Sequence, residues 1–166
     1  MDKLKSFEPL INKESKVLIL GSMPGVMSLD KQQYYGNPRN HFWKIIYSLF
    51  NEIEDEHYEQ KKAFLMKKGI ALWDVINTCF REGSLDSNIK KEEVNEVESL
   101  LEYYPNIRFI GFNGTKAYST LKKHIGIQFL NKVEYKQLPS TSPIPGRNIK
   151  SFDDKLHEWS IILNYL

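Results

Sequence analysis

Two stretches of the chain hold residue types that do chemistry outside a hydrophobic core. Residues 21–43 read GSMPGVMSLDKQQYYGNPRNHFW, a long loop rich in glycine and proline that carries two adjacent tyrosines and Asn40 before an aromatic pair. Long ordered loops of this kind are usually functional. Neither GxxxxGK[ST] nor GxGxxG follows the preceding apolar run, so a nucleotide-phosphate cradle is not indicated. Residues 138–148, LPSTSPIPGRN, set three prolines among small hydroxyl residues and include Arg147. Such a segment is stiff and rich in hydroxyl and amide donors, which suits a phosphate backbone and equally suits a rigid connector. Asn40, just before HFWKII, also suits the cap of a helix, and Tyr34 and Tyr35 also suit loop anchors.

Four short apolar runs, 16–21, 69–75, 107–113 and 132–138, read as strands, the last alternating and therefore expected at a sheet edge. Helical spacing over 40–50, 54–68, 90–104, 115–124 and 152–166 fills the intervals. Strands alternating with helices predict a three-layer α/β/α domain, residues 1–166, around a central, mostly parallel four-stranded sheet. In such sheets ligands bind beyond the carboxyl ends of the strands, which directs attention to loops 22–39, 76–88, 114 onward and 139–147.

The chain has 166 residues, 41% hydrophobic and 27% charged, which is the make-up of one globular domain with a sizeable core. No apolar run reaches the roughly 20 residues of a membrane span, and the start is too polar for a secretory signal, so a cytoplasmic location is expected. The single cysteine, Cys79, excludes an internal disulfide and has no zinc-type spacing around it, so no metal is expected. The formal charge of +2 conceals an uneven distribution: residues 51–105 carry −6 and residues 106–150 carry +7. A basic segment of this kind fits a polyanion on one side, or a solvated face balanced by acidic helices.

Taken together, GSMPG (21–25), QYY (33–35), NPRNHFW (37–43), GIALWDVINTCFREGSLDS (69–87), FNGTKA (112–117) and LPSTSP (138–143) resemble the uracil-DNA glycosylase superfamily, and within it the hypoxanthine-DNA (deoxyinosine) glycosylases. The resemblance runs from about residue 17 to 150. It implies a cofactor-free, monofunctional DNA glycosylase, a monomer acting on double- or single-stranded DNA that contains a deaminated base. Hypoxanthine is the expected base and uracil a second one. The alternatives are a mismatch-specific uracil or thymine glycosylase and a catalytically inactive nucleic-acid-binding module on the same fold.

Two departures matter for mechanism. Many relatives carry a catalytic Asp or Asn where this chain has Met23, and a His where it has Leu138; neither replacement can orient water or hydrogen-bond a leaving base. The resemblance therefore points to Asn40 as the catalytic residue. It also implies that Tyr35 stacks on the extruded base, with Tyr34 the alternate, and that Asp74 stands where uracil-specific relatives use an asparagine to read it. Ser22, Met23 and Asn77, at the ends of strands, are further base-binding candidates. Lys116, Ser140, Ser142, Arg147 and Lys150 are expected at DNA phosphates, with residues 144–147 as a wedge into the duplex. Trp43 and Trp73 are expected in the core.

Overall fold

Every residue of the run Val17–Gly21 is buried, as expected for a parallel strand covered on both faces. The computed structural model, which describes residues 2–143 and 150–166, makes this run the second of seven strands. In chain order these are β1 (Lys3–Lys5), β2 (Val17–Gly21), β3 (Ile70–Asp74), β4 (Ile76–Phe80), β5 (Lys90–Val94), β6 (Phe109–Asn113) and β7 (Glu134–Leu138). The helices are α1 (Val26–Lys31), α2 (Phe42–Leu49), α3 (Tyr58–Lys68), α4 (Val97–Tyr103), α5 (Thr115–His124) and α6 (Phe152–Trp159).

The main sheet has the order β3-β2-β6-β7, with all three pairings parallel and β7 at an edge. Alternation along β2 separates two cores. Val17 and Ile19 pack with Trp43 and Ile46 of α2, Leu65 of α3 and Trp159 of α6, while Leu18 and Leu20 pack with Val97 and Leu100 of α4 and Ala117 and Leu121 of α5. These two clusters are the outer layers of the expected sandwich. Trp43 is a core residue and Trp73 is packed at the edge of the second cluster, its indole N–H donating to the Phe7 carbonyl at 3.2 Å.

A second, antiparallel sheet of order β1-β4-β5 was not expected. It corrects two readings. The stretch 76–88 opens as strand β4 rather than as a loop, and the helix expected over 90–104 is confined to α4, because residues 90–94 form β5. Val94 and Val97 are spaced as on a helix, yet Val94 pairs with Ile76 across the sheet. Between them Asn95 turns its side-chain amide onto the Asp74 carbonyl at 2.7 Å, which gives the chain a non-helical partner at that point. Met23, Ile76, Cys79 and Ile89 form a small core under this sheet. The last expected helix divides into α6 and a 3-10 segment, Ser160–Tyr165.

Candidate active site

The last residues of the four parallel strands are Gly21, Asp74, Asn113 and Leu138. Beyond these ends opens a cleft of about 400 Å³, walled by the first loop on one side and by residues 140–143 of the fourth loop on the other. This is where a parallel sheet is expected to bind its ligand.

The first loop is held in shape by specific bonds. Gly36 N–H donates to the buried Ser28 hydroxyl at 2.9 Å, and Val26 N–H to Ser84 Oγ at 2.9 Å. Tyr34 is a loop anchor: its hydroxyl donates to the Glu8 carbonyl at 2.6 Å and its own carbonyl accepts from Trp43 Nε1 at 3.1 Å. Tyr35, at φ 53°, stacks on Phe42 with ring centroids 4.1 Å apart, and its hydroxyl accepts from Asn113 Nδ2 at 3.1 Å. Asn113 also donates to Thr141 Oγ1 at 2.9 Å and accepts from Thr141 N–H at 3.0 Å. One amide thus joins the first loop to the fourth. Neither Asn113, within FNGTKA, nor Thr141, between two serines, carries a signal of this role in the sequence.

Asn40 lines the cleft. Its Oδ1 accepts from Phe42 N–H at 2.9 Å, which fixes the side chain and covers one of the amides at the start of α2. The adjacent His41 N–H donates to the Thr141 carbonyl at 3.0 Å, so the fourth loop docks beside Asn40.

Asp74 lies at the floor of the cleft and is 5% exposed. Its Oδ2 is buried without a hydrogen-bond partner among the described residues. Burial, reinforced by the nearby Asp86 and opposed by Arg81, pushes its carboxyl up to about 7. The same burial, with Asp74 close by, raises the Tyr35 hydroxyl well above the ordinary phenol range. Both side chains crowd over Gly21: a Cβ there would meet Asp74 Oδ1 at 2.5 Å and Tyr35 Oη at 3.3 Å. Gly21→Ala is therefore expected to displace Asp74 and, for the base excision that the sequence resemblance implies, to lower the rate more than about tenfold with the fold retained, measured by single-turnover kinetics beside circular dichroism. A kinetically silent variant would separate Asp74 from the reaction.

Arg81, 4% exposed, stands in a polar stretch where nothing in the sequence marks its role. It donates through Nε to the Gly83 carbonyl and through Nη2 to the Pro24 carbonyl, both at 2.7 Å, clamping the turn after β4 to the first loop. Ser22 lines the cleft and donates to Asp86 Oδ1 at 2.8 Å. Met23 lines it too, with its side chain buried in the small core under the second sheet. Ser140 and Ser142 are at the rim.

Other expected residues are elsewhere. Asn77 is not at the cleft; it is the second residue of β4, its carbonyl accepting from Ser6 N–H at 2.8 Å, because the chain after β3 enters a second sheet instead of a loop. Lys116 is the second residue of α5 and is outside the cleft lining. Lys150 pairs with Glu158 at 2.9 Å. Arg147 and the wedge over 144–147 lie outside the described residues.

Residues 8–161 match the model of the uracil DNA glycosylase superfamily. The chain belongs to that superfamily. As a uracil DNA glycosylase superfamily member it is 38% identical to a hypoxanthine DNA glycosylase of Methanosarcina acetivorans over 97% of this chain and 98% of that one. It is 37% identical to a hypoxanthine DNA glycosylase of Methanosarcina barkeri, covering 90% and 92% of the two chains. The solution NMR structure of a candidate uracil DNA glycosylase from M. acetivorans superposes with a TM-score of 0.78 at 38% identity, over 97% of this chain and 96% of that one. Within this superfamily fold, Met23 and Leu138 are both buried, Met23 beside the cleft in the small core and Leu138 in the main core outside the cleft lining. Asn40 and Asp74 are among the polar side chains that line the cleft.

Proposed function

We propose that this chain is a monofunctional DNA glycosylase that turns a deaminated nucleotide out of the helix and hydrolyses its N-glycosidic bond, with hypoxanthine as the principal base. The carrying observation is that the strand ends gather Asn40, Tyr35 and Asp74 around one cleft of about 400 Å³. Cleavage through an oxocarbenium-like sugar needs little base strength but does need a placed water and a favourable field. An amide oxygen has two acceptor sites. Phe42 N–H occupies one at Asn40 Oδ1, and the second is available to hold the attacking water.

Asp74 supplies base recognition. A neutral carboxyl offers one donor and one acceptor, the same pattern as the asparagine that uracil-reading relatives use, and it complements the N1–H and O6 edge of hypoxanthine. The N3–H and O4 edge of uracil has the same polarity, which supports uracil as a second substrate. Tyr35 would pack against the base from its seat on Phe42, and Ser140 and Ser142 would meet flanking phosphates, with Arg147 and Lys150 adding positive charge and Lys116 a more distant contact.

Among the described residues lining the cleft there is no lysine, and Lys31 of the first loop donates to the Gly36 carbonyl at 2.9 Å. A Schiff-base lyase is therefore disfavoured, and an abasic strand should be released uncut. No helix among the described residues is long and apolar enough to cross a membrane. The reading is completed by a single catalytic domain that acts as a cytoplasmic monomer without a cofactor.

End-labelled duplexes carrying deoxyinosine, deoxyuridine, a G·T mismatch or no lesion provide the test. Scission of the deoxyinosine strand only after alkali is expected. Excision confined to the deoxyuridine or G·T duplex would replace this reading by a mismatch glycosylase, and binding without excision by an inactive module.

A further inference from the structure

A second cavity, of about 440 Å³, adjoins the cleft and shares Ser142 and Pro143 with it. Asn40 faces the cleft, while its neighbours Arg39 and His41 line this second space together with Lys44, Lys150 and Lys155. Among the described residues that line it there is no carboxylate. Lys150 is already paired with Glu158. Arg39, Lys44 and Lys155 have no ion pair among the described residues.

Lys155 is the telling residue. It stands on α6 at 4% exposure, and its ammonium is 3.3 Å from His41 Nδ1. With Lys155 as donor, the imidazole accepts at Nδ1 in its neutral form; burial shifts both groups toward their unprotonated forms, and Lys155 and Lys44 shift His41 further in that direction. A buried ammonium normally has a counter-charge, because desolvation is costly without one. Three cations and an imidazole around one cavity beside the reaction site leave a place for an anion. The DNA strand that delivers a nucleotide to Asn40 carries one on each side of it.

Resting on the glycosylase reading above, we infer that the cavity formed by Arg39, His41, Lys44 and Lys155 binds a single DNA backbone phosphate next to the extruded nucleotide. Contact there fixes the strand at Arg39 and His41, the two residues flanking Asn40. It thereby sets where the sugar sits relative to Asn40.

The test is a scan in which each phosphate within three nucleotides of deoxyinosine is replaced, one at a time, by an uncharged methylphosphonate, with binding and single-turnover excision followed at each position. Wild-type protein is expected to lose about tenfold in affinity at one position. The Lys155→Met protein and the Arg39→Gln/Lys44→Gln protein should become insensitive at that position while keeping the wild-type response elsewhere. Arg39 and Lys44 are exposed, so the double variant decides the matter even if Lys155→Met fails to fold. The slope of its log affinity against log salt should also become shallower by about 0.9 for each phosphate it no longer neutralises. A double variant with the wild-type scan and slope overturns the inference. So does a site that takes inorganic phosphate, followed through the His41 ring resonances, while the DNA scan stays unchanged, since the ligand is then a free anion. Absence of any deoxyinosine excision by wild type would instead count against the glycosylase reading itself.

Discussion

Asn40→Ala is expected to lower single-turnover excision of deoxyinosine at least about 100-fold, the usual scale for losing one placed polar group at a reacting centre. Affinity for a duplex containing an abasic site should stay near wild type. The substitution also removes the acceptor of Phe42 N–H, a local bond worth about 1 kcal/mol, so stability needs a separate control. Asn40→Ser provides it. A serine at this position can still accept from the start of α2 but is too short to hold water where the amide does. An inactive serine variant of wild-type melting temperature would assign the rate loss to chemistry. Full activity in either variant would remove Asn40 from the mechanism.

The second large effect is a pH dependence at Asp74. With its carboxyl raised from 3.8 to about 7, the folded protein holds this proton more tightly than the unfolded chain does. The folded state therefore binds the extra proton between these values, and stability falls as pH rises from about 4 to about 7, then levels off. The loss is on the order of 4 kcal/mol. Asp74→Asn should abolish it, so that denaturant midpoints of the variant and wild type diverge in favour of the variant between pH 4 and pH 8. Excision gives a parallel readout. Wild-type turnover should decline above about pH 7 as the carboxyl loses its donor, whereas Asp74→Asn keeps one donor and one acceptor and should have a flat profile there. A wild-type profile unchanged in the variant would mean that Asp74 does not read the base.

The main sheet was legible because three of its strands are short, apolar and bounded by turn residues, and the unbroken apolar run Val17–Gly21 requires layers on both faces. The second sheet was not. Its strands Lys3–Lys5 and Lys90–Val94 are charged and largely exposed, and their regularity comes from pairing with β4 rather than from any pattern of their own. Asn77 departs from its expected place for the same cause, since the loop expected over 76–88 opens as β4. Motif resemblance led to Asn40, Tyr35 and Asp74, and the fold brings all three to one cleft. What it could not supply were residues whose importance lies in their partners: Arg81 between two carbonyls, Asn113 between two loops, and Lys155 against an imidazole.

The knot at Asn113 has a consequence for how damage is sensed. Because this amide joins Tyr35 to Thr141, the opposing walls are fixed to each other before any substrate arrives. A receptor whose walls are tied together in advance has less conformational freedom to lose on binding. Beside the reading of the base edge, a further energetic difference is on the other partner: how readily a nucleotide leaves its stack, which is easiest where pairing is already weakened. Vigilance in such an enzyme resides as much in the frailty of the double helix as in the protein that inspects it.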